Sequence, residues 1–187
     1  MSVYLPLTVM VISAAYLSTL GCGEPHHKKV EHERMAPYFT ASTAQNKTYN
    51  LKSLTQKRPV FLYMIQASCG INAKAVRYYE AMFKAYKDKP NFIGLFDGNA
   101  KAFQAWQKVY KVSFPVLLDP NLKVIHAYHS ERSPWLFKIG TDGKILNEWK
   151  GYSISSLEEL NKLLAQNAGM PVQKVSFKGA PTQPSYG

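Results

Sequence analysis

Between residues 36 and 168 the apolar positions alternate between strand-like runs and helical spacings. Residues 59–65 (PVFLYMI) form a continuous apolar run, the pattern of a central strand covered on both faces. The chain then passes through residues 66–70 into a helix predicted over 72–87. There Val76, Tyr79, Phe83 and Tyr86 recur at spacings of three and four and make one apolar face. Residues 91–96 predict a second buried strand. Asn99 is a capping residue for a helix reaching Tyr110, with Phe103, Trp106 and Tyr110 on one side. Residues 115–118 run into the turn Asp119-Pro120-Asn121, and 124–128 read as a short strand. Residues 135–139 and 144–149 flank Thr141-Asp142-Gly143 and predict a hairpin. Ser155 or Ser156 caps a last helix that turns Leu157, Leu160, Leu163 and Leu164 inward. The order βαβα followed by ββα makes this an α/β domain, a mixed sheet with helices on both faces. From Gly169 onward three prolines, three glycines and few large apolar residues predict a loose tail over 169–187.

The first stretch has a different pattern. Residues 3–20 are apolar or small and polar, with no charge before Glu24. The run closes on Leu20-Gly21-Cys22-Gly23, which resembles the lipobox of bacterial lipoprotein signal peptides. The resemblance implies removal of residues 1–21 and lipidation of Cys22. No Lys or Arg precedes the run and Thr19 stands where Leu is usual, so an ordinary secretory signal and an uncleaved anchor remain alternatives. Each of these readings places the remainder outside the cytoplasm, in a periplasm or cell envelope. Residues 22–35 hold His26, His27 and His32 among balanced Lys and Glu residues. They read as a solvated tether rather than a metal site, because nothing nearby fixes ligand geometry.

Composition narrows the functional classes. The chain has 187 residues, 46% of them hydrophobic and 13% aromatic, which suits one folded domain plus signals and tails. Two cysteines exclude a disulfide scaffold and a four-thiolate zinc site. The net charge of +11 raises nucleic acid or an anionic membrane as a partner. Lys101, Lys108 and Lys111 lie along one predicted helix as a solvated face, and no aromatic-interleaved basic stripe accompanies them, so nucleic acid is not expected. Near an anionic leaflet each cation adds about 1 kcal/mol of attraction, which supplements a lipid anchor.

Four segments in order carry a family resemblance. Ala36-Pro37-Tyr38-Phe39-Thr40 sets Ala-Pro before an aromatic, and residues 51–54 precede the central strand. Phe114-Pro115-Val116-Leu117-Leu118-Asp119-Pro120 follows, and then Ser133-Pro134 ahead of Asp142-Gly143-Lys144-Ile145. Together they resemble the thioredoxin fold in its redoxin branch, the alkyl hydroperoxide reductase/thiol-specific antioxidant family and its thioredoxin-like lipoprotein relatives. The resemblance covers residues 36–168. It implies a thioredoxin-like fold with a central mixed sheet, a redox thiol at Cys69, and a cis Pro134 beside it. Ser68, Gly70, Asn72, Ser133 and Pro134 are then the residues facing a substrate or partner, and no cofactor is implied.

Cys69 stands where the strand turns into the helix, so its sulfur meets the positive end of the helix dipole and unpaired backbone N–H groups. Both favour the thiolate nucleophile. Two departures from the family pattern restrict the chemistry. Thioredoxin-type enzymes need Cys-x-x-Cys for intramolecular resolution, and Asn72 occupies the second position. Peroxiredoxins carry Thr or Ser three residues before their cysteine and Pro seven before, and here those positions are Gln66 and Leu62. What remains is a one-cysteine cycle. Cys69 attacks a peroxide or a disulfide, and an outside thiol resets it. A redox-inactive binding module on the same scaffold is the alternative. Metal handling by Cys69 with His126 or His129 is a third reading with too few ligands.

Overall fold

The computed structural model describes residues 34–187 with the exception of Glu131, so Cys22, the segment 1–21 and the tether histidines lie outside the described residues. In chain order the elements are β1 (Thr40–Ser42), β2 (Thr48–Asn50), α1 (Leu51–Thr55), β3 (Val60–Ile65), α2 (Gly70–Ala85) and β4 (Phe92–Phe96). Then come α3 (Ala100–Tyr110), β5 (Val116–Leu118), α4 (Lys123–Ala127), β6 (Trp135–Ile139), β7 (Ile145–Lys150) and α5 (Ile154–Ala168). The seven strands form one sheet in the order β2-β1-β5-β4-β3-β6-β7. Strands β3, β4 and β5 are parallel, and β6, β7, β1 and β2 extend the sheet antiparallel on its two sides. This is the α/β thioredoxin fold expected from the segment order.

The period of two along a strand explains why β3 is apolar throughout. Phe61, Tyr63 and Ile65 enter one core with α2, α3 and α5, whereas Val60, Leu62 and Met64 enter a second core with Phe39, Leu54 and Tyr128. Every residue of β3 and β4 is buried. In β4, Gly94 is needed for a close approach: a Cβ there would stand 2.8 Å from Ile65 Cδ1 and 3.1 Å from Val116 Cγ2.

Three local predictions need correction. Residues 124–128 are not a strand. The Asp119 carboxylate accepts the Val124 and Ile125 N–H groups, both at 2.9 Å, and this first-turn capping overrides the β-branched pattern to make α4. The last helix is capped by Ser153 rather than by Ser155 or Ser156. Ser156 is instead the return partner of the capping box, its hydroxyl accepting the Ser153 N–H at 2.7 Å.

The tail from Gly169 is the third correction. It is bound along its length, not loose. Val175, Phe177 and Ala180 pack on the first core. The Gln173 N–H donates to the Tyr86 hydroxyl at 3.2 Å, and the Asn161 amide donates to the Gln173 carbonyl at 2.9 Å. The Tyr78 hydroxyl donates to the Lys178 carbonyl at 3.1 Å, and Ile154 N–H to the Pro181 carbonyl at 2.8 Å. Tail residues too sparse to form their own core half-bury Val175, Phe177 and Ala180 against the first core while Val172 stays exposed, and groups of α2 and α5 satisfy part of the tail backbone. The β1–β2 hairpin was also not predicted; its strands are only three residues each.

Candidate functional site

Strand β3 ends at Ile65 and delivers residues 66–69 to the edge of the sheet where α2 begins. Ser68 and Gly70 are exposed and Cys69 is half-buried. Cys69 is the N-cap of α2: its Sγ accepts the Asn72 N–H at 3.4 Å, as a capping side chain does. The same sulfur donates toward the Ser133 carbonyl at 3.5 Å, so the turn before α2 and the loop before β6 meet at this thiol. The Ser133–Pro134 peptide is cis. Both residues are buried, and the Ser133 hydroxyl donates to the Met64 carbonyl at 3.4 Å.

Asn72 does not face a partner. Its side chain is fully buried, because the α2 periodicity turns that position toward the sheet. There its amide oxygen accepts the Tyr63 hydroxyl and its amide nitrogen donates to the Gln66 carbonyl at 3.2 Å. The Gln66 carbonyl also accepts the Cys69 N–H at 3.2 Å, so Asn72 holds the turn that presents the sulfur while its own N–H touches it. Burial, followed by the neighbouring Tyr79, pushes the Tyr63 phenol well above the usual range, so it stays a proton donor to that amide.

The other side of the turn rests on Asp97, a residue with no place in the sequence-based site. Its Oδ1 accepts the Ala67 N–H at 2.9 Å, and its own N–H donates to the Ile65 carbonyl at 3.1 Å. Burial pushes its carboxyl above the ordinary carboxylate value, and the Ala67 N–H pulls the other way. The available signal was an acid directly after a buried strand, at the sheet edge that also carries Cys69. Gln66, Asp97, His126, His129, Arg132 and Ser133 line a cavity of about 410 Å³ beside the turn. Among the described residues no group of three or more His, Cys, Asp or Glu side chains could hold a metal. Two arginines stack on rings: Arg77 over Tyr78 at 4.6 Å and Arg132 over Tyr186 at 4.7 Å.

Comparison with known proteins identifies the family and the fold. The model of the AhpC/TSA family matches residues 33–147. The thiol-disulfide oxidoreductase ResA of Bacillus cereus is 29% identical over 148 residues, 78% of this chain and 85% of that protein. The thioredoxin domain of a thiol-disulfide oxidoreductase from Bacteroides vulgatus superposes with a TM-score of 0.59 at 19% identity, covering 70% of this chain and 96% of that one. The peroxidoxin BcpB of Mycobacterium tuberculosis superposes with a TM-score of 0.58 at 16% identity, covering 74% and 97%. At those identities the two structures establish the shared fold.

Proposed function

This chain belongs to the AhpC/TSA family, and from that premise we propose that it is a thioredoxin-like thiol-disulfide oxidoreductase working through Cys69 alone. One observation carries the reading. The Cys69 sulfur sits at the first turn of α2 with the Asn72 N–H on it and the Ser133 backbone at 3.5 Å, which joins a nucleophile to a surface for its partner. The Cys69 thiolate attacks one sulfur of a partner disulfide. The Cys69–partner S–S bond forms as the partner's own bond breaks, and the departing sulfur leaves as a thiolate and takes a proton. An outside thiolate then attacks the Cys69 sulfur and releases the second partner thiol. A second outside thiolate removes the first from Cys69 as a disulfide. One disulfide is reduced, two outside thiols are oxidised, and Cys69 is regenerated.

The proposal includes a location outside the cytoplasm, with a lipid on Cys22 holding the chain at a membrane. The lipobox-like run supports it, and mass spectrometry of the mature N-terminus tests it; an unmodified cleavage product or an intact Met1 refutes the anchor. For the chemistry, the reduced full chain is incubated with a disulfide-bonded peptide and with hydrogen peroxide, beside Cys69→Ser. A mixed disulfide on Cys69 that an added thiol releases is the expected result. A sulfenic acid on Cys69 without the mixed disulfide would move the reading to peroxide reduction. Equal behaviour of the Cys69→Ser chain would leave only a redox-inactive binding module.

A further inference from the structure

The tail ends its course at Cys69. Gly187 exchanges both backbone hydrogen bonds with Ser133: the Ser133 N–H donates to the Gly187 carbonyl at 3.1 Å, and the Gly187 N–H to the Ser133 carbonyl at 2.9 Å. Two residues earlier Ser185 exchanges the same pair with Tyr152, at 3.0 and 2.9 Å, as an antiparallel bridge. Tyr186, between them, lies under the Arg132 guanidinium at 4.7 Å. Residues 185–187 are thus an extended strand laid over the site with every second residue paired, the way an added peptide strand docks on exposed backbone.

The register of that strand relative to the sulfur is the decisive feature. A Cβ built on Gly187 stands 3.0 Å from Cys69 Sγ and 3.5 Å from Ile71 Cγ1. In a disulfide, the Cβ of one cysteine lies about 3.0 Å from the sulfur of the other, given an S–S bond of about 2.05 Å and ordinary bond angles. Gly187 therefore occupies the place that the cysteine of a disulfide-linked polypeptide takes, and glycine is what allows the backbone to lie there without reacting or clashing.

We propose that residues 185–187 are an internal pseudo-substrate: they occupy, in register, the groove where a cysteine-bearing polypeptide pairs with Ser133, and partner and tail compete for Cys69. This rests on the thiol-disulfide reading for the identity of the partner, an extended polypeptide rather than a small thiol, but not for the strap itself. The Ser133 backbone, expected from the sequence to face a partner, faces this strap. A partner gains the groove only when the four backbone bonds of Ser185 and Gly187 open, so the reactive fraction of the chain is the fraction with the strap released.

Two variants test it. In a full chain carrying Cys22→Ser, Gly187→Cys is treated with oxidised glutathione. The expected product is an internal disulfide between positions 69 and 187, with two glutathione thiols released and both protein thiols lost. Separately, deletion of residues 183–187 leaves Phe177 and Ala180 in their packing and is expected to raise the rate of Cys69 alkylation by iodoacetamide by about tenfold or more. Equal alkylation rates with and without the segment, or free thiols persisting in the Gly187→Cys chain, overturn the proposal. Faster alkylation together with no exchange with a disulfide peptide in either chain upholds the strap and refutes the oxidoreductase reading. Equal alkylation together with equal peptide exchange in both chains does the reverse.

Discussion

Asn72 stands where a resolving cysteine would be, and its buried contacts predict that it is now a structural clamp. Truncation by Asn72→Ala removes the acceptor of the fully buried Tyr63 hydroxyl and one of the donors to the Gln66 carbonyl. A buried polar group left unpaired costs about 1–3 kcal/mol, and a lost but compensated hydrogen bond about 0.5–1.5 kcal/mol. The Gln66 carbonyl keeps its Cys69 N–H, so the larger part falls on Tyr63. Asn72→Ala is therefore expected to cost about 2–4 kcal/mol and Tyr63→Phe about 1–2 kcal/mol. In the double variant neither polar partner remains, so adding Tyr63→Phe to Asn72→Ala should cost almost nothing further. The coupling energy is then about 1–2 kcal/mol. Urea titrations read it directly through the tryptophans, since Trp106, Trp135 and Trp149 are all buried. Costs that add to within about 0.5 kcal/mol would refute the clamp.

Asp97 beside the site and Tyr86 at the far end of α2 give two further predictions. Burial holds the Asp97 carboxyl above its ordinary value, so its protonated form stabilises the fold below that ordinary value. This contribution is lost as pH rises through the raised folded value. Wild type should therefore lose stability relative to Asp97→Asn across that window, and a stability difference independent of pH between about 3 and 7 would contradict it. Tyr86 is fully buried and joins three elements, donating to Asn161 Oδ1 at 2.6 Å and accepting the Gln173 N–H at 3.2 Å. Tyr86→Phe should cost about 1–3 kcal/mol and speed hydrogen exchange at the Gln173 amide, and unchanged exchange there would refute the attachment of the tail through this hydroxyl.

The local and the non-local parts of this protein separate cleanly. Strands β3 and β4, the Asn99 cap, the β6–β7 hairpin and the position of Cys69 before α2 were legible because each depends on side chains a few residues apart. Apolar runs, 3.6-residue periodicity and capping chemistry are properties of short segments. Helix α4 departs from its β-branched pattern for a local reason: Asp119, several residues upstream, accepts two N–H groups of its first turn. Of the site, the family resemblance supplied Cys69 and the cis Ser133–Pro134 peptide beside it, whereas Asp97, the inward turn of Asn72 and the tail were not legible.

Apart from the capping Asn72 N–H, the groups that frame the sulfur and its turn come from residues distant in the chain. Asp97 reaches Ala67 across 30 positions and Ser133 reaches Cys69 across 64. Gly187 arrives from the far end of a segment whose composition alone reads as loose. By itself the sequence determined the central strands, the long helices and the thiol at the start of α2, and its segment order gave the fold class. The tertiary structure decided that Asn72 turns inward and that the tail lies over Cys69. Helix phase against a covered sheet and backbone pairing between remote segments have no signature in neighbouring residues.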